Sequence, residues 1–196
     1  MMKKNTIGII FVFCLLVTNA FAASDAFKNN IYNPGELKPV DSVLKVKVGE
    51  RAPDFTLPAV SGRNVSLQDF RGKKNVVISF VPAAWTPVCS DQWPGYNIIQ
   101  DVFAGNDAVL LGITVDNIPT LFSWTNQMGK LWFDVLSDFW PHGAVAAKFG
   151  VLRSDGVAER ALFVIDKKGY IRYIDVHNIN QRPPLEDLVR ELEKLK

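Results

Sequence analysis

The fold and the chemistry of this chain both centre on Val76-Val-Ile-Ser-Phe-Val-Pro82-Ala-Ala-Trp-Thr86-Pro-Val-Cys89-Ser-Asp-Gln92. Residues 76–81 are largely apolar and rich in β-branched side chains, which is typical of a strand buried on both faces of a sheet. Pro82 ends this strand, and after a short turn we predict a helix over residues 90–103. Cys89 therefore lies at the point where a helix begins.

The surrounding pattern predicts an α/β protein. A second buried strand at residues 109–115 completes a β-α-β unit, which requires a right-handed crossover and a parallel pair of strands. The pattern also predicts β-hairpins at residues 57–67 and 161–176 and a loop at residues 136–143. Three further helices are predicted at residues 118–128, 144–149 and 184–195. This order predicts the thioredoxin-like layout, with a central mixed β-sheet flanked by helices on both faces.

The N-terminus has the features of a signal peptide. Lys3 and Lys4 precede an apolar run over residues 6–17, and Ala20-Phe-Ala22 forms a small-residue cleavage site. This run is shorter than the roughly 20 residues that span a bilayer, which argues against a stable membrane association. We therefore expect residues 1–22 to be cleaved and the protein to be exported to the periplasm, with a retained anchor as the alternative.

The remaining residues divide into an extension and one domain. Residues 23–47 are polar and rich in turn-forming residues, so we expect a poorly ordered N-terminal extension with an edge strand near residues 43–48. Residues 48–196 are enough for one well-buried domain. The formal net charge of +2 disappears with Lys3 and Lys4, so charge gives no support for a nucleic-acid or membrane-surface partner.

Cleavage would also remove Cys14 and leave Cys89 as the single cysteine. A lone cysteine forms no internal disulfide, and in an exported protein it indicates a reactive thiol or an intermolecular partner. The free backbone N–H groups at a helix start favour a thiolate. Thr86 can donate its hydroxyl to the sulfur or to a substrate, and Pro82 can shield the pocket from water. No Lys or Arg occurs within residues 75–129, so an activating cation has to come from elsewhere.

The spacing Pro82-x-x-x-Thr86-x-x-Cys89 resembles the active-site motif of the peroxiredoxins, the alkyl hydroperoxide reductase/thiol-specific antioxidant family. Residues 48–57 look like the opening strand of that family. Leu-Ser-Asp-Phe-Trp-Pro-His-Gly at residues 136–143 looks like its one-cysteine, alkyl hydroperoxide reductase E class. The resemblance implies that Arg160, which enters the last hairpin, is the fourth catalytic residue. In the family this arginine bridges the thiolate and the peroxide oxygens.

The resemblance also implies the reaction. The Cys89 thiolate would attack the O–O bond of hydrogen peroxide or an organic hydroperoxide and become a sulfenic acid. One subgroup carries its resolving cysteine where this chain has Pro94, so an external thiol has to reduce the sulfenic acid, either a small thiol or a thioredoxin-like protein. The resemblance further suggests a homodimer. Many relatives have a glutamate where this chain has Gln92, which leaves the role of that carboxylate open.

Two other functions stay open at this point. An exported thioredoxin-like thiol-disulfide oxidoreductase uses two cysteines, whereas Thr86 stands where Trp-Cys-x-x-Cys would have its first. A redox sensor or holdase without enzymatic activity would use the fold for binding alone. We expect neither a metal nor a cofactor, because His142 and His177 lack metal-ligand spacing and the chain has no glycine-rich nucleotide loop.

Overall fold

A computed structural model describes residues 25–195, and the expected signal peptide at residues 1–22 lies outside them. The helices and strands of this range follow in the order α1 (Asp25–Asn29), β1 (Thr56–Pro58), β2 (Asn64–Ser66), β3 (Asn75–Phe80), α2 (Pro87–Gly95), α3 (Gln100–Gly105), β4 (Ala108–Thr114), α4 (Ile118–Met128), β5 (Asp134–Ser137), α5 (Ala144–Phe149), β6 (Arg160–Ile165), β7 (Ile171–His177) and α6 (Leu185–Glu193). Within this range, no helix is both long and apolar enough to cross a bilayer.

The central sheet has five strands in the order β5-β4-β3-β6-β7. Strands β3, β4 and β5 run parallel, whereas β6 is antiparallel to β3 and β7 is antiparallel to β6. The predicted β-α-β unit, the mixed sheet and the last hairpin are therefore confirmed. The first hairpin is also confirmed, as the separate antiparallel pair β1–β2.

Both faces of the sheet are covered. All six residues of β3 are buried, and neighbouring side chains point to opposite faces as the pleat requires. Val77 packs on one face with Trp124 of α4 and Leu188 of α6. Ile78 packs on the other face with Phe149 of α5. Because β3 lies in the middle of the sheet, the turn that follows it has a fixed position at the C-terminal end of the parallel strands.

The helix that carries Cys89 differs in extent from the prediction. It begins at Pro87, which suits a first helical position because proline has no N–H to leave unpaired there. The predicted single helix over residues 90–103 is interrupted after Gly95 by a 3-10 turn over Tyr96–Ile99, before α3 begins. Pro94 and Gly95 lie at this break, and a proline inside a helix removes one hydrogen bond of the helix. A second difference is β5, whose last two residues fall inside the predicted loop at residues 136–143.

Residues 27–47, the N-terminal arm, do not form the expected edge strand. Backbone pairing with β7 begins only at Gly49, whose N–H donates to the carbonyl of Ile171 at 2.8 Å. Residues 43–45 instead lie against the end of α5, where Lys45 donates its N–H to the carbonyl of Phe149 at 3.2 Å. Gly150 has a φ of 78°, and a Cβ there would overlap the arm backbone. The arm is thus packed onto the domain, contrary to the expectation of a poorly ordered leader.

Candidate active site

Cys89 is the third residue of α2 and is fully buried. The turn that leads to it places Trp85 at a φ of 60°, in the left-handed region, before Thr86 returns to an extended conformation at the N-cap. A non-glycine residue in that region stores strain, which is common at functional sites. The strand, the strained turn and the helix start together fix the position of the sulfur.

Arg160 lies next to this sulfur, although the two residues are far apart in the sequence. It is the first residue of β6, the strand that pairs with β3, and its side chain is buried. Its Nη2 lies 3.6 Å from Cys89 Sγ. Nε and Nη2 also donate to the carbonyl of Ile179, at 3.0 and 2.9 Å, and these bonds fix the plane of the guanidinium. The cation that residues 75–129 lack is thus supplied from β6.

Gln92 holds the other side of the guanidinium. Its Oε1 accepts from Arg160 Nη1 at 2.5 Å, and its Nε2 donates to the hydroxyl of Tyr96 at 2.8 Å and to Ser79 Oγ at 3.3 Å. Burial raises the pKa of Tyr96, so its phenol stays neutral at physiological pH. The neutral amide of Gln92 thus holds the arginine without placing a negative charge beside it.

The two other predicted site residues lie beside the same turn. Thr86 Oγ1 donates to the carbonyl of Ala83 at 2.9 Å, and no side-chain bond from Thr86 caps α2. The structure therefore brings Thr86 to the site but does not show its hydroxyl on the sulfur. Pro82 follows β3 directly. The turn is held from below by Asp116, which accepts the N–H of Ala84 at 2.8 Å.

Pro82, Thr86 and Arg160 line a cavity of about 790 Å³, whereas Cys89 lies behind its floor. The cavity wall comes from four segments of the chain: Tyr32, Asn33, Pro34, Gly35, Glu36 and Leu37 of the arm; Pro82, Ala83, Ala84, Thr86, Pro87 and Val88 around the turn; Asp155, Val157 and Arg160; and Ile179 and Asn180. Because the sulfur has no exposed surface, a reactant has to displace side chains at the cavity floor to reach it.

Sequence reasoning missed the contribution of the arm and of the loop after β7. It assigned no function to residues 23–47, where Asn33-Pro-Gly35 indicated only a turn. No signal in the sequence points to Ile179 or Asn180, because their partners lie in distant segments. Among the residues that the structure describes, no cluster of three or more His, Cys, Asp or Glu side chains is arranged to hold a metal ion.

Comparison with known proteins shows which protein family this chain resembles. Residues 48–174 match the AhpC/TSA family. The chain is 39% identical over 132 residues to alkyl hydroperoxide reductase E of Mycobacterium tuberculosis, covering 67% of this chain and 86% of that protein. It is 32% identical over 158 residues to the chloroplastic 2-Cys peroxiredoxin BAS1 of Hordeum vulgare, covering 76% and 74% of the two chains.

Solved structures with a similar fold are peroxiredoxins as well. The reduced 2-Cys peroxiredoxin of Plasmodium vivax gives a TM-score of 0.70 at 28% identity, over 76% of this chain and 81% of its own. Mycobacterium tuberculosis AhpC gives 0.69 at 25% identity, over 76% and 93%. These neighbours have the thioredoxin-like fold, so that prediction is confirmed. The chain therefore belongs to the AhpC/TSA family, the peroxiredoxins, which are thiol-dependent peroxidases.

Proposed function

We propose that this peroxiredoxin works by a one-cysteine mechanism in which Cys89 is the peroxidatic residue and an external thiol is the reductant. The observation that carries the proposal is the 3.6 Å contact between Arg160 Nη2 and Cys89 Sγ, just behind the floor of a cavity wide enough for a hydroperoxide. A guanidinium at this distance can pair with a thiolate, which is the nucleophilic form of cysteine. A buried, neutral thiol without such a partner would be inert.

The proposed first step is a displacement at oxygen. The Cys89 thiolate attacks the terminal oxygen of the hydroperoxide, the S–O bond forms, and the O–O bond breaks. The products are a sulfenic acid and an alkoxide or hydroxide, which takes a proton from water to leave as an alcohol or water. Negative charge moves from the sulfur to the departing oxygen. The N–H donors of Arg160, which are already held in place, can stabilise this charge at both positions. Thr86 would position the peroxide through its hydroxyl, and Pro82 would exclude water.

The proposed second step needs a thiol from outside the chain. Cys89 is the only cysteine among the described residues, and the position of the resolving cysteine in one subgroup is Pro94, inside α2. An external thiol would condense with the sulfenic acid to give a mixed disulfide and water. A second thiol would then release Cys89 and leave as the oxidised disulfide.

Mass spectrometry of the protein purified without residues 1–22 tests both steps. After one equivalent of hydrogen peroxide we expect a mass increase of one oxygen atom on Cys89, which a sulfenic-acid trap such as dimedone converts into an adduct. Addition of a small thiol before the trap should instead give a mixed disulfide and then the reduced protein. A disulfide-linked protein dimer as the main product, or no change at Cys89, would contradict the one-cysteine mechanism.

We further propose that the protein is exported to the periplasm and that residues 48–196 form the catalytic domain. The support for export is the basic start, apolar run and small-residue site within residues 1–22. N-terminal sequencing of the protein recovered from cells checks this: a start near Ala23 supports cleavage, and a start at Met1 contradicts it.

We also propose that the protein is a homodimer. Phe139 and Trp140, next to β5, are 47% and 82% exposed, and large aromatic side chains of this kind are enriched at protein interfaces. Sedimentation velocity at micromolar concentration tests the assembly. A monomer that persists as the protein concentration is raised contradicts it.

A further inference from the structure

We infer that residues 32–37 of the N-terminal arm form the wall of the substrate pocket that favours hydroperoxides with a bulky apolar substituent. The inference rests on the proposed peroxidase function and concerns a segment outside residues 48–174, the part that matches the AhpC/TSA family. Six consecutive arm residues line the cavity, and the opposite side is formed by the turn that leads into α2. The arm therefore completes the pocket.

Both ends of this wall are tied to the walls of the cavity by hydrogen bonds to their backbone groups. At one end, Tyr32 donates its N–H to the carbonyl of Trp85 at 2.7 Å. At the other end, the side chain of Asn180 clamps Leu37: Oδ1 accepts the Leu37 N–H at 2.9 Å, and Nδ2 donates to the Leu37 carbonyl at 2.7 Å. The Asn180 amide thus pairs with both the N–H and the carbonyl of Leu37, as the backbone of a neighbouring β-strand would. The wall is thus fixed at both ends.

The loop that contains Asn180 also fixes the position of Arg160, through Ile179. Ile179 donates its N–H to the carbonyl of Pro39 at 3.1 Å, while its own carbonyl accepts two hydrogen bonds from Arg160. Arm and guanidinium are therefore held by the two polar groups of a single residue. This sets the distance between the pocket wall and the group that faces the reacting oxygens.

A buried ion pair anchors the arm a second time. Glu159 is fully buried and pairs with Arg153 Nη1 at 2.8 Å, and its free oxygen accepts the N–H of Asp41 at 2.6 Å. Asp41 in turn accepts hydrogen bonds from the backbone and hydroxyl of Ser154. Glu159 directly precedes Arg160, the first residue of β6. The arm is therefore attached both to Glu159 and to Ile179, the residue that holds the Arg160 guanidinium.

The pocket is larger than hydrogen peroxide needs. A water molecule occupies about 30 Å³ in the liquid, so a molecule of two oxygen atoms fills only a small part of the cavity of about 790 Å³. Cavities of this volume are usual for small organic ligands. The arm contributes Tyr32, Pro34 and Leu37 to the wall, and the Tyr32 side chain is 70% exposed. A carbon substituent that covers these side chains gains binding free energy, whereas hydrogen peroxide leaves them in water.

The test compares single-turnover oxidation of Cys89 by cumene hydroperoxide and by hydrogen peroxide, followed by stopped-flow tryptophan fluorescence without any reductant. We expect Leu37→Ala to lower the second-order rate constant for cumene hydroperoxide about fivefold, and Tyr32→Ala with Leu37→Ala about twentyfold. The rate constant for hydrogen peroxide should change less than about twofold in both variants, because the chemistry at Cys89 is untouched. Leu37→Trp, which narrows the pocket, should slow cumene hydroperoxide more than hydrogen peroxide.

Val43→Ala is the matched control. Val43 lies on the same arm, is 83% exposed and does not line the cavity, so both rate constants should stay at the wild-type value. An unchanged ratio of the two rate constants in Leu37→Ala and Leu37→Trp would overturn the inference and leave the peroxidase function standing. Equal losses with both peroxides are one form of this unchanged ratio and would indicate a general structural effect. A wild-type protein inert to both peroxides would overturn the peroxidase function and this inference with it.

Discussion

Cys89→Ser is expected to abolish peroxide reduction, with a loss of at least about a thousandfold in the rate of peroxide consumption. A serine hydroxyl is not ionised near neutral pH and cannot store the transferred oxygen as a sulfenic acid, so both the nucleophile and the intermediate are lost. The variant should also yield no trapped adduct after peroxide treatment. The rate of peroxide consumption in the presence of a small thiol, compared with the rate for the thiol alone, measures the effect.

The same variant separates the peroxidase from a binding protein. Serine is close to cysteine in size, and circular dichroism should show an unchanged fold with a melting temperature within a few degrees of the wild type, on the order of a 1 kcal/mol change. A holdase or another non-enzymatic function would survive this substitution. Retention of peroxide reduction by the folded Cys89→Ser protein would contradict Cys89 as the peroxidatic residue.

The fold around the site was predictable where local pattern and burial agree. Strand β3 lies in the middle of the sheet, so its apolar run is continuous and easy to recognise. Strand β5 escaped prediction because it has only four residues, and its burial comes from pairing with β4 rather than from its own pattern. The sequence predicts an edge strand near residues 43–48, yet Val43 is 83% exposed and Lys45 bonds to the end of α5.

The site itself was predictable only in part. Pro82, Thr86 and Cys89 lie close together in the sequence, between the end of β3 and the first turn of α2, so their spacing alone indicates that they lie together. Arg160 is separated from Gln92 by 68 positions and from Ile179 by 19, and only the pairing of β6 with β3 brings them to one point. Its place in the site followed from family resemblance, and its partners are visible only in the structure. Such contacts depend on tertiary topology, which local sequence patterns do not encode.

Arg160→Met is expected to lower the second-order rate constant with hydrogen peroxide by about a hundredfold to a thousandfold, the usual effect of removing a preorganised donor from developing negative charge. Methionine fills a similar volume without charge or N–H groups. The substitution also leaves the carbonyl of Ile179 and the side-chain oxygen of Gln92 without their partner, so we expect the free energy of unfolding to fall by about 1–3 kcal/mol. Stopped-flow oxidation and chemical denaturation measure the two effects separately.

Arg160→Lys and Arg182→Met serve as controls for charge. Lysine keeps the positive charge but cannot bond the sulfur, Gln92 and Ile179 at once, so an intermediate loss of about tenfold to a hundredfold is expected. Arg182 pairs with Asp91 at 2.9 Å on the surface, beside α2, and its loss removes the same charge without touching Cys89. The oxidation rate of Arg182→Met should stay within about twofold of the wild type.

Arg160 can act in two ways: it can favour thiolate formation, and it can stabilise the departing peroxide oxygen. Alkylation of Cys89 by iodoacetamide separates these two effects. A free cysteine is only a few per cent thiolate at neutral pH, so a full gain in ionisation accounts for at most about thirtyfold in any reaction of the thiolate. Iodoacetamide needs the thiolate but has no O–O bond for the guanidinium to polarise. If Arg160 also stabilises the departing oxygen, Arg160→Met must slow oxidation by peroxide well beyond its effect on alkylation. Equal losses in the two reactions would limit Arg160 to thiolate formation and would contradict its contact with the peroxide oxygens.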